Sequence, residues 1–378
     1  MSDLVYLDNN ATTPLAPECV EVLAQALLEF GNPSSKHKAG EAAKAYLATA
    51  RAQTAKLLGA TPAEVVFTSG GTEANHLAIL GALALFPERR HLITSAVEHP
   101  STLLLMRHLE NQGYRVTYLN VDSQGKLDLE QLEHTLTPKT ALVSLMWANN
   151  ETGVLFPIAE LAAKVKAQGV LFHSDAVQAA GKVPIDLKQT PVDLLSLSGH
   201  KFHAPKGVGA LFVRRGLKLA PMIFGHQERG QRGGTENVPG IAALGVAAEL
   251  AQRELAQGKA QIEVLRDRLE RELIKRLPGA FVVGSGAPRV ANTSCLCLGQ
   301  GEAEWVLTRL DQAGICASAG AACTSAGSEP SHVLRAMGLT PEQALSTIRF
   351  SLSRYTTAAE IERVITVLPK AVQELAIV

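Results

Sequence analysis

The sequence has no excess of charge of either sign, since 36 Lys and Arg residues balance 36 Asp and Glu residues. Proteins that bind nucleic acids or anionic membranes usually carry a basic excess. We therefore expect neither a nucleic acid nor a membrane as a partner.

Targeting and membrane segments are also lacking. The N-terminus has no basic stretch followed by an apolar run, which a signal or transit peptide would show. The most apolar segment, residues 74–86, is too short to span a bilayer and is typical of a buried helix. These absences predict a cytoplasmic protein.

Cysteine is scarce and irregularly spaced. There are five cysteines, an odd number that implies no disulfide framework. The only close pair, Cys295 and Cys297, has no two further ligands nearby to complete a zinc site. We predict thiols in the protein core there, and no metal.

What the chain does have is a globular composition, with 46% hydrophobic and 19% charged residues over 378 positions. Within residues 60–215, short β-branched runs alternate with amphipathic helical patterns. This predicts an α/β fold with a mostly parallel sheet covered by helices. The predicted strands are Val65–Thr68, His91–Thr94, Val116–Leu119, Ala141–Met146, Val170–His173, Leu194–Leu197 and Ala210–Val213.

A long helical pattern from about residue 240 to 276 stops at Leu277-Pro278-Gly279, where we expect a hinge. Shorter strands and helices follow it and indicate a second, smaller α/β domain. The predicted division is a large domain at 14–257 and a small domain made of 1–13 and 258–378.

Polar or glycine-rich segments follow five of the predicted strands. They are Ser69-Gly70-Gly71-Thr72-Glu73, Glu98-His99-Pro100, Asn149-Asn150-Glu151, Asp175 with Gln178, and Ser198-Gly199-His200-Lys201. In open α/β sheets, ligands bind beyond the carboxyl ends of the strands. We therefore predict that these segments form one site.

Two charged residues in this set suggest specific chemistry. A buried carboxylate such as Asp175 needs a cation, for example the protonated ring nitrogen of pyridoxal phosphate (PLP), or else a set of backbone amides. Lys201 lies among small and apolar residues at a strand end, which predicts a lowered pKa and imine formation. Its alternative is an ordinary surface lysine, such as Lys206.

The neighbouring residues fit a phosphorylated ring but allow simpler interpretations. Gly70-Gly71-Thr72 at a helix start offers N–H groups to a phosphate, or forms a glycine turn with Thr72 as the N-cap. Ser198 and His200 are placed to hold a phosphate beside Lys201. His99 either stacks on a ring and moves protons, or is structural.

Two features lie far along the chain. Residues 318–330 are mostly small and surround Cys323, which predicts an exposed thiol on a mobile loop, unless the cysteine is incidental. Arg349, on an otherwise apolar strand, needs an anion. That anion is either a substrate carboxylate or a structural salt-bridge partner.

Taken in order, these motifs resemble the NifS/IscS-type cysteine desulfurases, which are class-V aminotransferase-like enzymes of PLP fold type I, the fold of aspartate aminotransferase. The resemblance extends from Tyr6-Leu7-Asp8-Asn9-Asn10 through the strand-end segments. It continues through Arg232-Gly233-Gly234-Thr235-Glu236-Asn237 and the Cys323 loop to Ile348-Arg349-Phe350-Ser351.

The resemblance implies a role for each matching residue. Lys201 would be the Schiff-base lysine, His99 the ring-stacking acid and base, and Cys323 the sulfur acceptor. Cofactor contacts would come from Gly71, Thr72, Asp175, Gln178, Ser198 and His200, with Thr235 reaching across a homodimer. Asn149 and Arg349 would bind the substrate carboxylate.

The implied reaction converts L-cysteine to L-alanine and leaves a persulfide on Cys323. A scaffold or acceptor protein would then take the sulfur, for example for iron–sulfur cluster assembly. A selenocysteine lyase or an aminotransferase of the same fold would use Lys201, Asp175 and Arg349 equally well, but an aminotransferase would not need Cys323. A thiol- or metal-binding scaffold is the non-enzymatic alternative.

Overall fold

The computed structural model describes residues 4–299, 301–319 and 329–375. Its strands are β1 Val5–Tyr6, β2 Val65–Thr68, β3 His91–Ser95, β4 Arg115–Leu119, β5 Thr140–Met146, β6 Leu171–Asp175, β7 Leu194–Ser198, β8 Gly209–Val213, β9 Phe281–Val282, β10 Thr293–Cys297, β11 Ile315–Cys316, β12 Ser318–Ala319 and β13 Thr347–Ser351. Its α-helices are α1 Pro17–Leu27, α2 Lys38–Leu57, α3 Gly71–Leu85, α4 Pro100–Asn111, α5 Leu129–Thr135, α6 Ile158–Ala167, α7 Val238–Arg276, α8 Ala303–Gln312, α9 His332–Ala336, α10 Pro341–Leu345 and α11 Ala358–Leu375.

Strands β2 to β8 form the central seven-stranded sheet, in the order β2-β8-β7-β6-β5-β3-β4. Pairing is parallel from β7 through β6, β5 and β3 to β4. Strand β8 runs antiparallel to both β7 and β2. All seven predicted strands and the mostly parallel sheet are confirmed, with strand ends that differ by one or two residues.

Both faces of this sheet are buried, which explains the nearly continuous apolar runs of its strands. On β2, Val65 and Phe67 pack into one apolar cluster, whereas Val66 packs into the cluster on the opposite face. Helix α3 packs on the second face, where Leu77 and Ile79 are buried. Because neighbouring residues point to opposite faces of the sheet, each strand contributes to both clusters.

A further core lies around β9, β10, β12 and β13, which form a four-stranded antiparallel sheet. Val5 and Leu7 from the N-terminal segment are buried in this core. The 39-residue helix α7 joins the two parts, since Leu244 packs with the central sheet and Leu273 with the second core. The division at 257/258 falls inside α7 and stays a prediction.

Cys295 and Cys297 on β10 are fully buried, as predicted for core thiols. Across residues 4–299, 301–319 and 329–375, no group of three or more His, Cys, Asp or Glu side chains could hold a metal ion. None of the helices formed by those residues is long and apolar enough to cross a membrane.

Candidate active site

A cavity of about 330 Å³ opens at the carboxyl ends of the parallel strands. Nine of the predicted site residues line it: Gly71, Thr72, His99, Asp175, Gln178, Ser198, His200, Lys201 and Arg349. The sheet order explains this meeting, because β2, β7, β6, β5 and β3 all end on the same edge. The cavity has the size of a site for a small molecule or cofactor.

Lys201 follows β7 at the end of a short 3₁₀ turn, Gly199–Lys201, and is half-buried. Its Nζ donates hydrogen bonds to the carbonyl oxygens of Asn10 at 2.6 Å and Ala11 at 2.7 Å. Burial, and then the positive charge of Arg349, lower the pKa of the lysine to about 8, against the opposing pull of Asp175. A substantial fraction of the amine is therefore neutral near physiological pH, as imine formation requires.

Asp175 is the last residue of β6 and is 5% exposed. Its Oδ1 accepts from the backbone N–H of Val177 at 2.9 Å, and its Oδ2 accepts from Asn75 Nδ2 at 2.7 Å. A carboxylate has about four acceptor sites. The Asp175 carboxylate can therefore still accept a hydrogen bond from a cation in the cavity.

An anion cradle lies on the other side of the cavity, around the start of α3. The helix begins at Gly71 after the N-cap Gly70, which offers no side-chain cap, so its first N–H groups are left for another acceptor. Thr72 is therefore inside the helix and is not its N-cap. A Cβ on Gly71 would meet Val177 Cγ2 at 2.7 Å, so any larger residue here would require Val177 to move.

Ser198 and His200 line the same region, and His200 Nδ1 lies 3.2 Å from Thr12 Oγ1. Burial and the neighbouring amine of Lys201 lower the pKa of His200 to about 4. In the cavity as described, His200 is thus a neutral hydrogen-bonding group. A bound phosphate would oppose this shift by favouring the protonated ring.

His99 is the N-cap of α4, and its Nδ1 accepts from the backbone N–H of Ser101 at 3.1 Å. His99 is exposed in the single chain and lines the cavity. Desolvation by the neighbouring protein lowers the pKa of the imidazole, with Asp175 opposing the shift and Lys201 adding to it. His99 is therefore placed to face a bound ring as a neutral group.

Gln178 lies in a turn within the described segment 176–193, which contains no helix. No helix therefore places Asp175 and Gln178 on one face. Gln178 Nε2 donates to the Asn10 carbonyl at 2.9 Å, and its Oε1 accepts from Lys182 Nζ at 2.6 Å. The position of this amide depends on tertiary contacts, since no helix fixes it.

Arg349 on β13 is 2% exposed and already has an anionic partner. Its Nη2 donates to Asp8 Oδ1 at 2.8 Å, and its Nη1 to the Asn150 carbonyl at 3.1 Å. Its Nε has no hydrogen-bond partner among the described residues. The salt bridge is thus present, and a substrate contact by Arg349 stays a prediction.

Asn149 does not line the cavity, because the turn after β5 uses its side chain. Its Oδ1 accepts from the N–H groups of Glu151 and Thr152, both at 2.9 Å. Its Nδ2 donates to the Val97 carbonyl at 3.1 Å. The next residue, Asn150, lines the cavity instead.

Two further predicted site residues remain, Thr235 and Cys323. Thr235 is exposed in the single chain and does not line the cavity. Its loop is tied to the start of α3, since Arg232 Nε donates to Glu73 Oε1 at 2.9 Å. Cys323 lies outside the described residues.

Sequence reasoning missed the residues that hold the reactive groups in place. Asn10 accepts from Lys201 and Gln178 through its carbonyl, and Asn75 binds Asp175. Asn75 lies four residues after Gly71, one turn along the same face of α3, so helical spacing was an available signal. No comparable signal marks Asn10.

A buried carboxyl group, Glu98, lies directly under this site. It is fully buried, and its Oε1 accepts from Ser95 Oγ at 2.6 Å and from the Met146 N–H at 3.0 Å. Its Oε2 has no partner among the described residues. Burial, together with the charge of Asp175, raises the pKa of Glu98 from 4.5 to about 8 despite these hydrogen bonds.

This raised pKa predicts a loss of stability as the pH increases. Since the folded protein keeps the Glu98 proton and the unfolded chain loses it, the stabilisation is complete below pH 4.5 and disappears as the pH passes about 8. The slope due to one proton is at most about 1.4 kcal/mol per pH unit. Glu98→Gln, which mimics the protonated acid, should flatten this slope in denaturant titrations between pH 5 and 8.5.

The matched control is Glu88→Gln, because 70% of the Glu88 side chain is exposed. We expect this variant to keep the wild-type dependence of unfolding free energy on pH. An equally steep slope in Glu98→Gln would contradict the prediction.

The donor set of the cavity fits pyridoxal phosphate. A partly neutral amine, a carboxylate with spare acceptors and the uncapped start of α3 meet the needs of an aldehyde, a ring nitrogen and a phosphate respectively. His99 supplies a flat face toward the same space. Each part of the cofactor thus has a complementary group on this chain.

Comparisons with known proteins agree with this chemistry. Residues 5–364 match the family described as aminotransferase class-V. The chain is 52% identical to a cysteine desulfurase of Trichormus azollae, covering 98% of this chain and 94% of the relative. It is 50% identical to the cysteine desulfurase NifS of Azotobacter vinelandii, covering 98% and 93%. A solved NifS-like protein superposes with a TM-score of 0.92 at 36% identity, covering 98% of this chain and all of the other.

Proposed function

Since the chain belongs to the aminotransferase class-V family, and within it to the cysteine desulfurases, we propose that it removes sulfur from L-cysteine and releases L-alanine with the help of pyridoxal phosphate. The observation that carries this proposal is the half-buried Lys201 amine in one cavity with Asp175 and the uncapped start of α3. This combination suits an enzyme that binds its cofactor covalently and excludes much of the solvent.

The cofactor would be held by residues from four strand ends. Gly71, Thr72, Ser198 and His200 would bind the phosphate, with Thr235 of a second subunit as a further ligand. Asp175 would bind the ring nitrogen, Gln178 the phenolic oxygen, and His99 would cover the ring. When bound, pyridoxal phosphate supplies an aldehyde for covalent attachment and a ring that accepts electrons from the substrate.

Lys201 would then move a proton. Its lowered pKa, about 8, leaves a neutral amine that can take the proton from the substrate α-carbon. Its hydrogen bonds to the carbonyls of Asn10 and Ala11 hold Nζ at the edge of the cavity. A charged lysine could not act as a base, so the burial that lowers the pKa is part of the function.

The substrate carboxylate would lie near Arg349 and Asn150. Arg349 is buried at the cavity wall, and its Nε has no partner among the described residues. Asn150 lines the same wall, whereas the side chain of Asn149 is held by its own turn. We therefore assign the asparagine contact to Asn150.

Cys323 would be the sulfur acceptor. Its thiolate bonds to the substrate sulfur as the carbon–sulfur bond breaks, and the β-carbon takes a proton to give alanine. The enzyme keeps a persulfide, so no external oxidant is consumed. This role rests on the match of its sequence segment to the family.

The direct test is a cysteine assay that measures alanine and sulfide together. With L-cysteine and a dithiol reductant, we expect equal amounts of alanine and sulfide over many turnovers. Without reductant, alanine should stop near one equivalent per active site, because the persulfide is not discharged. Formation of 3-mercaptopyruvate, the keto acid that keeps the sulfur of cysteine, with no sulfide would favour an aminotransferase and reject the proposal.

A homodimer with shared active sites fits the surface of the single chain. Large apolar side chains are exposed at Leu27, Leu28, Phe30, Leu104 and Phe224, and Phe30 is 91% exposed. Exposed apolar side chains of this size favour an interface with another protein surface. Light scattering of the holoenzyme that gives the mass of one chain would reject the dimer.

We further infer that the enzyme acts in the cytoplasm and passes its sulfur to an acceptor, such as an iron–sulfur scaffold protein. The family assignment supports the transfer, because a persulfide is useful only if another molecule takes the sulfur. Persulfide transfer to a purified scaffold, followed with ³⁵S-cysteine, tests it; no label on the scaffold would count against this partner.

A further inference from the structure

A continuous chain of hydrogen bonds joins Asp175 to His99 beneath the cavity. Asn75 Nδ2 donates to Asp175 Oδ2 at 2.7 Å and to Ser101 Oγ at 3.0 Å. Ser101 Oγ lies 2.9 Å from His99 Nδ1. Asn75 is 1% exposed, so solvent does not replace these partners.

Asp175 determines the direction of the chain at one end. A carboxylate accepts hydrogen bonds, so the amide of Asn75 must turn its NH₂ group toward Asp175. The other hydrogen of the same NH₂ then points to Ser101 Oγ. The opposite amide orientation would place Asn75 Oδ1 against the carboxylate, so that two acceptors would face each other. In the observed orientation, Asn75 Oδ1 has no hydrogen-bond partner among the described residues that would hold the amide the other way.

Helix α4 sets the direction at the other end. The backbone N–H of Ser101 donates to His99 Nδ1 at 3.1 Å, and a backbone N–H can only donate. Nδ1 must therefore present a lone pair. Because Ser101 Oγ accepts from Asn75, its own hydrogen is available to donate to the same nitrogen.

The two ends thus require the same arrangement of protons. The N–H and the hydroxyl of Ser101 share the single lone pair of Nδ1, so Nδ1 carries no proton in this arrangement. The only ring proton of neutral His99 must lie on Nε2, which has no hydrogen-bond partner among the described residues. In a doubly protonated ring, the hydrogen on Nδ1 would face the hydrogen of the Ser101 N–H, and the two donors would repel each other. This repulsion acts in the same direction as the lowered pKa of His99.

We propose that Asn75 and Ser101 are positioning residues that hold His99 as the neutral tautomer with its proton on Nε2, so that His99 exchanges protons only at Nε2. This inference rests on the proposed function for its catalytic meaning, but the tautomer itself does not depend on the reaction. The same chain of hydrogen bonds links Asp175, which would bind the ring nitrogen, to His99, which would cover the ring.

The test is ¹⁵N NMR of histidine-labelled protein, as the holoenzyme and after cofactor removal. The His99 signals are those that vanish in His99→Gln. We expect a protonated, pyrrole-type Nε2 and an unprotonated, pyridine-type Nδ1 near neutral pH in both forms. A protonated Nδ1, or a cationic ring at pH 7, would overturn the proposal.

Ser101→Ala removes the hydroxyl donor and keeps the backbone N–H, at a helix position that tolerates alanine well. Loss of one neutral hydrogen bond should raise the population of the other tautomer relative to Nε2–H by about two- to tenfold. We expect kcat to fall only by the fraction of His99 that leaves the Nε2–H form, with an unchanged KM for cysteine. Ser101→Thr, which keeps a hydroxyl, should restore both the spectrum and kcat.

Thr102→Val on the same helix is the matched control. The buried Thr102 Oγ1 has no partner among the described residues, so valine should leave the His99 spectrum unchanged. An equal change in Thr102→Val and Ser101→Ala would show a general effect of packing and reject the assignment. The expected spectrum in a protein that releases no sulfide would reject the proposed function and leave the tautomer assignment intact.

Discussion

Lys201→Ala is expected to abolish alanine formation from cysteine, with a loss in kcat of about 10³-fold or more, because the variant lacks both the covalent anchor and the base. The Lys201 amine is held at the cavity edge by two backbone carbonyls and has a lowered pKa, about 8. Among the described residues, Lys201 is the one lysine that lines the cavity, which Asp175 also lines. The yellow absorbance of the lysine-linked cofactor should disappear with the activity.

Borohydride reduction followed by peptide mass spectrometry locates the covalent bond. In the wild-type protein the cofactor mass should appear on the peptide that contains Lys201, and Lys201→Ala should lose it. Lys206→Ala is the matched control, because Lys206 is exposed five residues along the chain and does not line the cavity. The adduct on Lys182 or Lys206 of the wild-type protein would contradict the assignment of Lys201.

The fold was largely predictable because six of the seven strands of the central sheet are almost fully buried, while the edge strand β4 is partly exposed. That burial produces compact β-branched runs, and the runs give strand positions directly. The order of the strands was not predictable from them. Strand β8 inserts between β2 and β7 and runs antiparallel to both, a choice that depends on how the chain returns after Lys201.

In the site, strand ends identified the reactive groups but not the residues that orient them. Asp175 and Lys201 were predictable since each ends or follows an apolar strand. Asn75 and Ser101 meet only because α3 and α4 pack side by side, and their spacing along the chain carries no sign of it. The sequence also could not show which asparagine lines the cavity, because that depends on the turn that the Asn149 side chain closes.

Cys323→Ala is expected to keep the cofactor absorbance of the wild-type protein and to lose sulfide release from cysteine. In the proposed site, residues on other segments would bind cofactor and substrate, so removing this thiol should leave the covalent bond to Lys201 unchanged. Without the Cys323 thiolate, no group accepts the substrate sulfur, so the carbon–sulfur bond should stay intact. We expect a loss in kcat at the upper end of the range for a missing nucleophile, about 10³-fold or more, measured as alanine and sulfide together.

The comparison with Cys316→Ala makes this test specific. Cys316 is the described cysteine nearest along the chain to Cys323, it is half-buried on β11, and burial raises the pKa of its thiol. A thiol held in the protonated form is a poor nucleophile, so Cys316→Ala should keep wild-type turnover. Retained sulfide release in Cys323→Ala would assign sulfur acceptance to another group and return an aminotransferase-like enzyme to consideration. If Cys323→Ala loses sulfide release and keeps the absorbance, two parts of the enzyme have separate roles. The Lys201 cavity then prepares the substrate, and the Cys323 thiol determines that sulfur is the atom removed.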